Sequence, residues 1–145
     1  MNLKSIFIAS DHAGFDFKKQ LIEQRPNLPW KDLGPHDTAS TDYPDWADKV
    51  AAEVAVGHGM GLLVCGSGIG MCIRANRHLK VRAAMAWDTI SARLSREHND
   101  ANVVCLGARL IPFGLALEIV DTFFKTEFAG GRHEGRVAKI DRPLK

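Results

Sequence analysis

The chain has 145 residues, 46% hydrophobic and 25% charged, which fits one soluble globular domain with a sizeable core. Lys and Arg outnumber Asp and Glu by only 19 to 17, and no basic run carries interleaved aromatics, so no nucleic-acid partner is expected. No stretch approaches the ~20 apolar residues of a membrane span, and Ile6–Ala9 is far short of a leader's apolar region.

Strand-like and helix-like segments alternate along the chain. Ser5–Ala9 reads as a first strand, and Phe15–Gln24 has helical periodicity that Pro26 ends. A short polar strand around Lys31–Leu33 stops at Gly34-Pro35. Pro44–Val56 reads as a helix with Pro in its first turn, Asp42 as its cap and Gly57 as its stop. Gly61–Val64 is a buried strand running into Cys65-Gly66-Ser67-Gly68-Ile69-Gly70, and Met71–Asn76 opens a helix. Val81–Ala86 is a fourth strand, Asp88 caps a helix to about His98, and Val103–Leu106 is a fifth strand. Pro112 opens a helix to about Lys125, and Arg132–Ile140 forms the last one. This alternation predicts a single-domain, Rossmann-like three-layer α/β/α fold around a five-stranded parallel sheet.

The loop after the third strand places a thiol where such folds bind ligands. Its glycines let the backbone turn sharply and aim N–H groups into the crevice at the strand's carboxyl end. A following helix N-terminus favours negative charge and tends to lower a nearby thiol's pKa. A base and an oxyanion stabiliser would then share one turn, which suits proton abstraction beside a carbonyl. The three cysteines, 65, 72 and 105, make no disulfide framework, and a reducing, cytoplasmic setting is expected.

Asp11-His12 follows the first strand on the same sheet edge as Cys65. Asp11 suits a helix cap, whereas His12 suits anion binding or proton movement. His98-Asn99 ends a helix, where Asn99 fits a C-terminal cap, and His98 is expected on the carboxyl-end side of a strand pair. Arg132 and Arg136 share one helix face, and with Arg109 they would offer three forked donors to a phosphate dianion near one crevice. His36, His58, His78 and His133 read as surface or loop residues.

Sharper motifs fail on spacing. The loop reads G-x-G-x-G rather than the dinucleotide G-x-G-x-x-G, although Asp88 keeps that reading open. No Gly-Lys-Ser/Thr follows, and Arg74 falls inside the helix rather than in a phosphatase loop. No C-x-x-C or H-x-x-x-H suggests a metal.

The chain resembles the type B ribose-5-phosphate isomerases and their galactose-6-phosphate isomerase relatives over nearly its whole length. The matching blocks are Ser10–Phe15, Thr41–Asp45, Leu63–Gly70, Ser95–Val103, Leu106–Arg109 and Gly130–His133 with Arg136. The resemblance implies an aldose–ketose isomerase with no cofactor and a small sugar phosphate as substrate. It implies Cys65 as base, His98 in ring opening, and Ser67 assisting proton transfer. It implies sugar contacts from Asp11, His12, Tyr43 and Asn99, and a substrate-binding loop of Gly66, Gly68, Ile69 and Gly70. It implies phosphate contacts from His12, Arg109, Arg132 and Arg136, some from a partner, in a homodimer or homotetramer with active sites between subunits. Ser67 stands where many members carry Thr, Trp46 where Tyr is commoner, and Arg74 where Ala is common. Isomerases of four- or six-carbon sugar phosphates, and a non-catalytic phosphosugar or nucleotide binder, are the alternatives.

Overall fold

β1 (Ile6–Ser10) is buried along its whole length because it sits inside a five-stranded, all-parallel sheet. β2 (Trp30–Gly34), β3 (Met60–Cys65), β4 (Ala83–Met85) and β5 (Val103–Gly107) complete it in the order β2-β1-β3-β5-β4. The computed structural model describes residues 3–144.

The period of two along each strand divides the core. Ile6, Ile8, Leu62, Val64, Val104 and Leu106 face one layer, filled by α1 (Phe15–Gln24), α4 (Thr89–Asn99) and α5 (Phe113–Lys125). Phe7, Ala9, Leu63, Cys65, Val103 and Cys105 face the other, filled by α2 (Tyr43–Ala55) and α3 (Ile69–Ala75). α6 (His133–Asp141) packs against the end of α4. The three-layer α/β/α architecture is therefore the expected one. Phe123, fully buried on α5, meets Phe124 edge to face, and Phe123→Ala should cost about 3–5 kcal/mol in chemical denaturation.

Most element ends follow the local signals. Asp88 accepts the Ser91 N–H at 2.6 Å while the Ser91 hydroxyl accepts the Asp88 N–H, which is a capping box. Gly57 takes a left-handed φ of +82° just past α2. Four expectations are corrected. Asp42 stands at the α2 N-cap position, but its side chain makes no capping bond. The residue that turns left-handed after α4 is Asp100, at φ +47°, and Asn99 remains helical. α3 begins at Ile69, two residues earlier than Met71. β4 is shortened to Ala83–Met85; just before it Asn102 Oδ1 accepts the Arg82 N–H at 2.7 Å, and at its first residue Asn76 Oδ1 accepts the Ala83 N–H at 2.8 Å. Asn76 thereby also blunts an exposed sheet edge. Among the described residues no helix is long and apolar enough to cross a membrane.

Candidate active site

β1 and β3 are neighbours whose onward connections leave in opposite directions, β1 to β2 on one side and β3 past β5 to β4 on the other. A parallel sheet opens a crevice at the carboxyl ends of such a strand pair. The segments after β1, β3 and β5 meet there.

From β1 come Asp11 and His12. The Asp11 N–H donates to Val64 O at 3.2 Å, and its carboxylate accepts the Gly14 N–H at 3.0 Å, so Asp11 stiffens the turn leading into α1. His12 is exposed, and its Nδ1 accepts the Thr41 N–H at 3.2 Å. From β3 comes Cys65, only 5% exposed, whose Sγ accepts the Gly68 N–H at 3.1 Å. Gly68 makes that turn at φ +79°, and a Cβ there would strike the Leu106 backbone, so no other residue fits without shifting β5. Ser67 Oγ accepts the Ile69 N–H at 3.3 Å. Tyr43, at the start of α2, lies so close to Gly70 that a Cβ at Gly70 would collide with its ring. From β5, Ala108 N–H donates to Cys65 O at 2.9 Å and Arg109 N–H to Gly66 O at 3.0 Å, which lays the Arg109 side chain over Gly66.

The other two thiols are placed differently. Cys105 is fully buried, and its bond with Cys72, then burial, push its thiol up. Cys72 is shifted down, chiefly by that same bond, and its Sγ donates to Ala83 O at 3.4 Å, toward β4. Among the described residues no cluster of three His, Cys, Asp or Glu side chains could hold a metal ion.

The remaining expected residues are elsewhere. α4 leaves the carboxyl edge and runs back antiparallel to the strands, so His98 and Asn99 lie at the amino end of β5. Four residue steps separate Val103 from Gly107, the partner of Cys65, which is roughly 13 Å along the strand. His98 on the carboxyl side is thus corrected. Arg132, the N-cap residue of α6, and Arg136 stand beside it, because Ala129 N–H donates to Glu97 O at 3.0 Å and ties the preceding loop to α4. Three arginines around one crevice is corrected likewise, since one chain brings only Arg109 to Cys65. Among the described residues none of the three arginines has an ion pair.

His133, read as surface, is 7% exposed and stacks on His98 with ring centroids 4.3 Å apart at 16°. Its place in Gly-Gly-Arg-His beside two arginines was the available signal. Burial first, then the charges of His98, Arg132 and Arg136, hold its imidazole below the usual range, against a weaker pull from Glu97. Unfolded, His133 titrates near about 6.5, so below that pH the unfolded chain binds more protons than the folded one. Stability should therefore fall as pH drops from about 6.5 toward the lowered folded value. Melting curves between pH 7.5 and 5 check this: His133→Phe, which keeps a ring on His98, should lose that component of the slope.

A sheet-edge crevice that gathers a thiol, an imidazole, a phenol and a guanidinium has the chemistry to receive a small polar, anionic molecule. A family described as Ribose/Galactose Isomerase matches residues 6–140. The chain is 45% identical over 139 residues to the putative sugar phosphate isomerase YwlF of Bacillus subtilis, covering 93% of each. The ribose 5-phosphate isomerase of Thermotoga maritima superposes with a TM-score of 0.92 at 44% identity, covering 97% of this chain and 99% of that one. The ribose-5-phosphate isomerase B of Mycoplasma genitalium, solved with bound ribulose-5-phosphate, gives 0.89 at 42% identity, covering 94% and 93%. The chain belongs to the ribose/galactose isomerase family and is an isomerase.

Proposed function

We propose that this protein interconverts ribose 5-phosphate and ribulose 5-phosphate through a cis-enediol(ate), with Cys65 as the base and no cofactor. The observation that carries this reading is the Cys65 sulfur in hydrogen-bond contact with the Gly68 N–H, at the crevice edge shared by His12 and Arg109. The family and the bound ketose in the Mycoplasma genitalium relative support the substrate class.

In this mechanism His98 moves a proton between the ring oxygen and the anomeric hydroxyl, which opens the sugar and exposes its carbonyl. Cys65 thiolate takes the C2 proton and returns it to C1. The Ser67 hydroxyl passes a proton between the two oxygens, while the Gly66 and Gly70 N–H groups stabilise the developing oxyanion. The Gly68 and Ile69 N–H groups hold Cys65 Sγ and Ser67 Oγ in place. Asp11, Tyr43 and Asn99 orient the sugar hydroxyls. His12, Arg109, Arg132 and Arg136 hold the phosphate, binding energy that positions C1 and C2 over the sulfur.

One chain does not complete this constellation, because His98, Asn99, Arg132 and Arg136 stand at the opposite end of the sheet from Cys65. The reading therefore includes a homo-oligomer, dimer or tetramer, in which a second copy supplies that group to the crevice. An isologous pair forms two equivalent sites.

Two measurements test the reading. Purified protein offered four-, five- and six-carbon sugar phosphates should turn over ribose 5-phosphate with the highest kcat/KM; a six-carbon preference or no turnover would contradict it. Arg136→Ala should raise KM for the sugar phosphate roughly ten- to a hundredfold, the value of one charged hydrogen bond, with kcat changed far less. A collapsed kcat at unchanged KM would remove Arg136 from the phosphate.

A further inference from the structure

The residues around His12 are held by an arrangement that the reaction itself does not use. Residues 35–42, between β2 and α2, form little regular structure, and His36–Ser40 are exposed. Such a stretch has few restraints of its own. Two side chains tie it down. At one end Lys18, with a side chain 1% exposed, donates from Nζ to Pro35 O at 2.7 Å and to Asp32 Oδ1 at 2.8 Å. At the other end the Trp46 indole N–H donates to Thr41 Oγ1 at 2.9 Å. The Thr41 backbone N–H in turn donates to His12 Nδ1.

Trp46 has little freedom to move away. Its ring lies against Gly34, where φ is +108° and a Cβ would sit 2.7 Å from Cζ3. Lys49 Nζ lies 4.4 Å from the ring centroid, a cation–π contact. α2 therefore fixes Trp46, Trp46 fixes Thr41, and Thr41 presents its amide to the imidazole.

The consequence is chemical. A neutral imidazole carries one N–H, and a ring nitrogen that accepts a backbone N–H cannot carry it. With Nδ1 accepting, the proton resides on Nε2, and among the described residues no other hydrogen bond engages the ring. We propose that Trp46 is a positioning residue for His12, acting through Thr41 to hold the ring as the Nε2–H tautomer in one orientation, so that it meets the substrate's phosphate as a hydrogen-bond donor. This rests on the phosphate-binding reading of His12 and adds the residue that prepares it. Trp46→Phe removes the indole N–H together with the outer ring that lies on Gly34, whereas Thr41→Val removes only the acceptor and leaves Trp46 in place, so the pair separates loss of the bond from loss of packing.

The ¹⁵N resonances of the His12 ring decide the matter directly, at about pH 8 where imidazoles are neutral. In the unaltered protein Nδ1 should resonate as an unprotonated nitrogen and Nε2 as a protonated one. In Trp46→Phe and in Thr41→Val the two should move toward each other as the tautomers mix, while Thr41→Ser keeps the original pattern. KM for ribose 5-phosphate should rise about fivefold in Trp46→Phe, the effect of one neutral hydrogen bond, with kcat within about twofold. The double variant should be no worse than either single one, because both break the same relay. Unchanged His12 resonances in Trp46→Phe, or KM effects that simply add, would overturn the proposal. If the unaltered protein fails to turn over sugar phosphates, the resonances still report on the relay, so its failure and that of the functional reading are separable.

Discussion

Cys65→Ala is expected to lower kcat by about 10²–10⁴-fold, the contribution of a positioned acid–base group. The Asp11 carboxylate is held by the Gly14 N–H and His12 Nδ1 by the Thr41 N–H, so neither replaces the sulfur. The fold should survive. Cys65 is small, its backbone O keeps the Ala108 N–H, and its register with Gly107 does not depend on sulfur. A buried substitution of this size costs about 1 kcal/mol, a few degrees in Tm. Substrate binding should persist, since the phosphate contacts are untouched. Cys72 supplies the control. Its thiol is the one shifted down, yet it points to Ala83 O and away from the loop, so Cys72→Ala should keep most of kcat. Loss of activity in Cys72→Ala together with a tenth or more of kcat in Cys65→Ala would exchange their roles.

The second large effect separates a shared site from a site within one chain. His98→Phe keeps a ring stacked on His133 but cannot move a proton, so kcat should fall at least about a hundredfold. Cys65→Ala and His98→Phe chains, each inactive alone, should regain activity when co-assembled. In a mixed isologous dimer one of the two sites receives an intact Cys65 and an intact His98, and random pairing restores roughly a quarter of the original sites. No recovery in mixed dimers isolated through two different affinity tags would mean that Cys65 and His98 do not cooperate across subunits.

The local features of this protein were readable from its residues. Alternation of apolar strands with capped helices carried the sheet, and the turn chemistry of Gly66, Ser67 and Gly68 carried the crevice loop. Two features depended on longer-range geometry. Nearness of His98 in sequence to β5 suggests that strand's carboxyl end, whereas the fold puts it at the amino end. A helix crossing back between parallel strands must run antiparallel to them, so its last turn belongs at the amino edge. For His133 the Gly-Gly-Arg-His run is the one local hint, since its burial comes from a ring on α4 thirty-odd positions earlier in the chain, and no period within α6 encodes that contact. Asn99 and Asp100 were indistinguishable as caps because both side chains tolerate a left-handed backbone. The result is two groups of residues, each legible in the sequence, while their separation emerges only from topology.

Solvent hydrogen exchange tests the central claim most directly. Incubated in deuterium oxide with ribose 5-phosphate, the protein should place deuterium at C2 of recovered substrate and C1 of the ketose, and Cys65→Ala should place none. Full turnover or full incorporation in Cys65→Ala would contradict proton transfer by this sulfur.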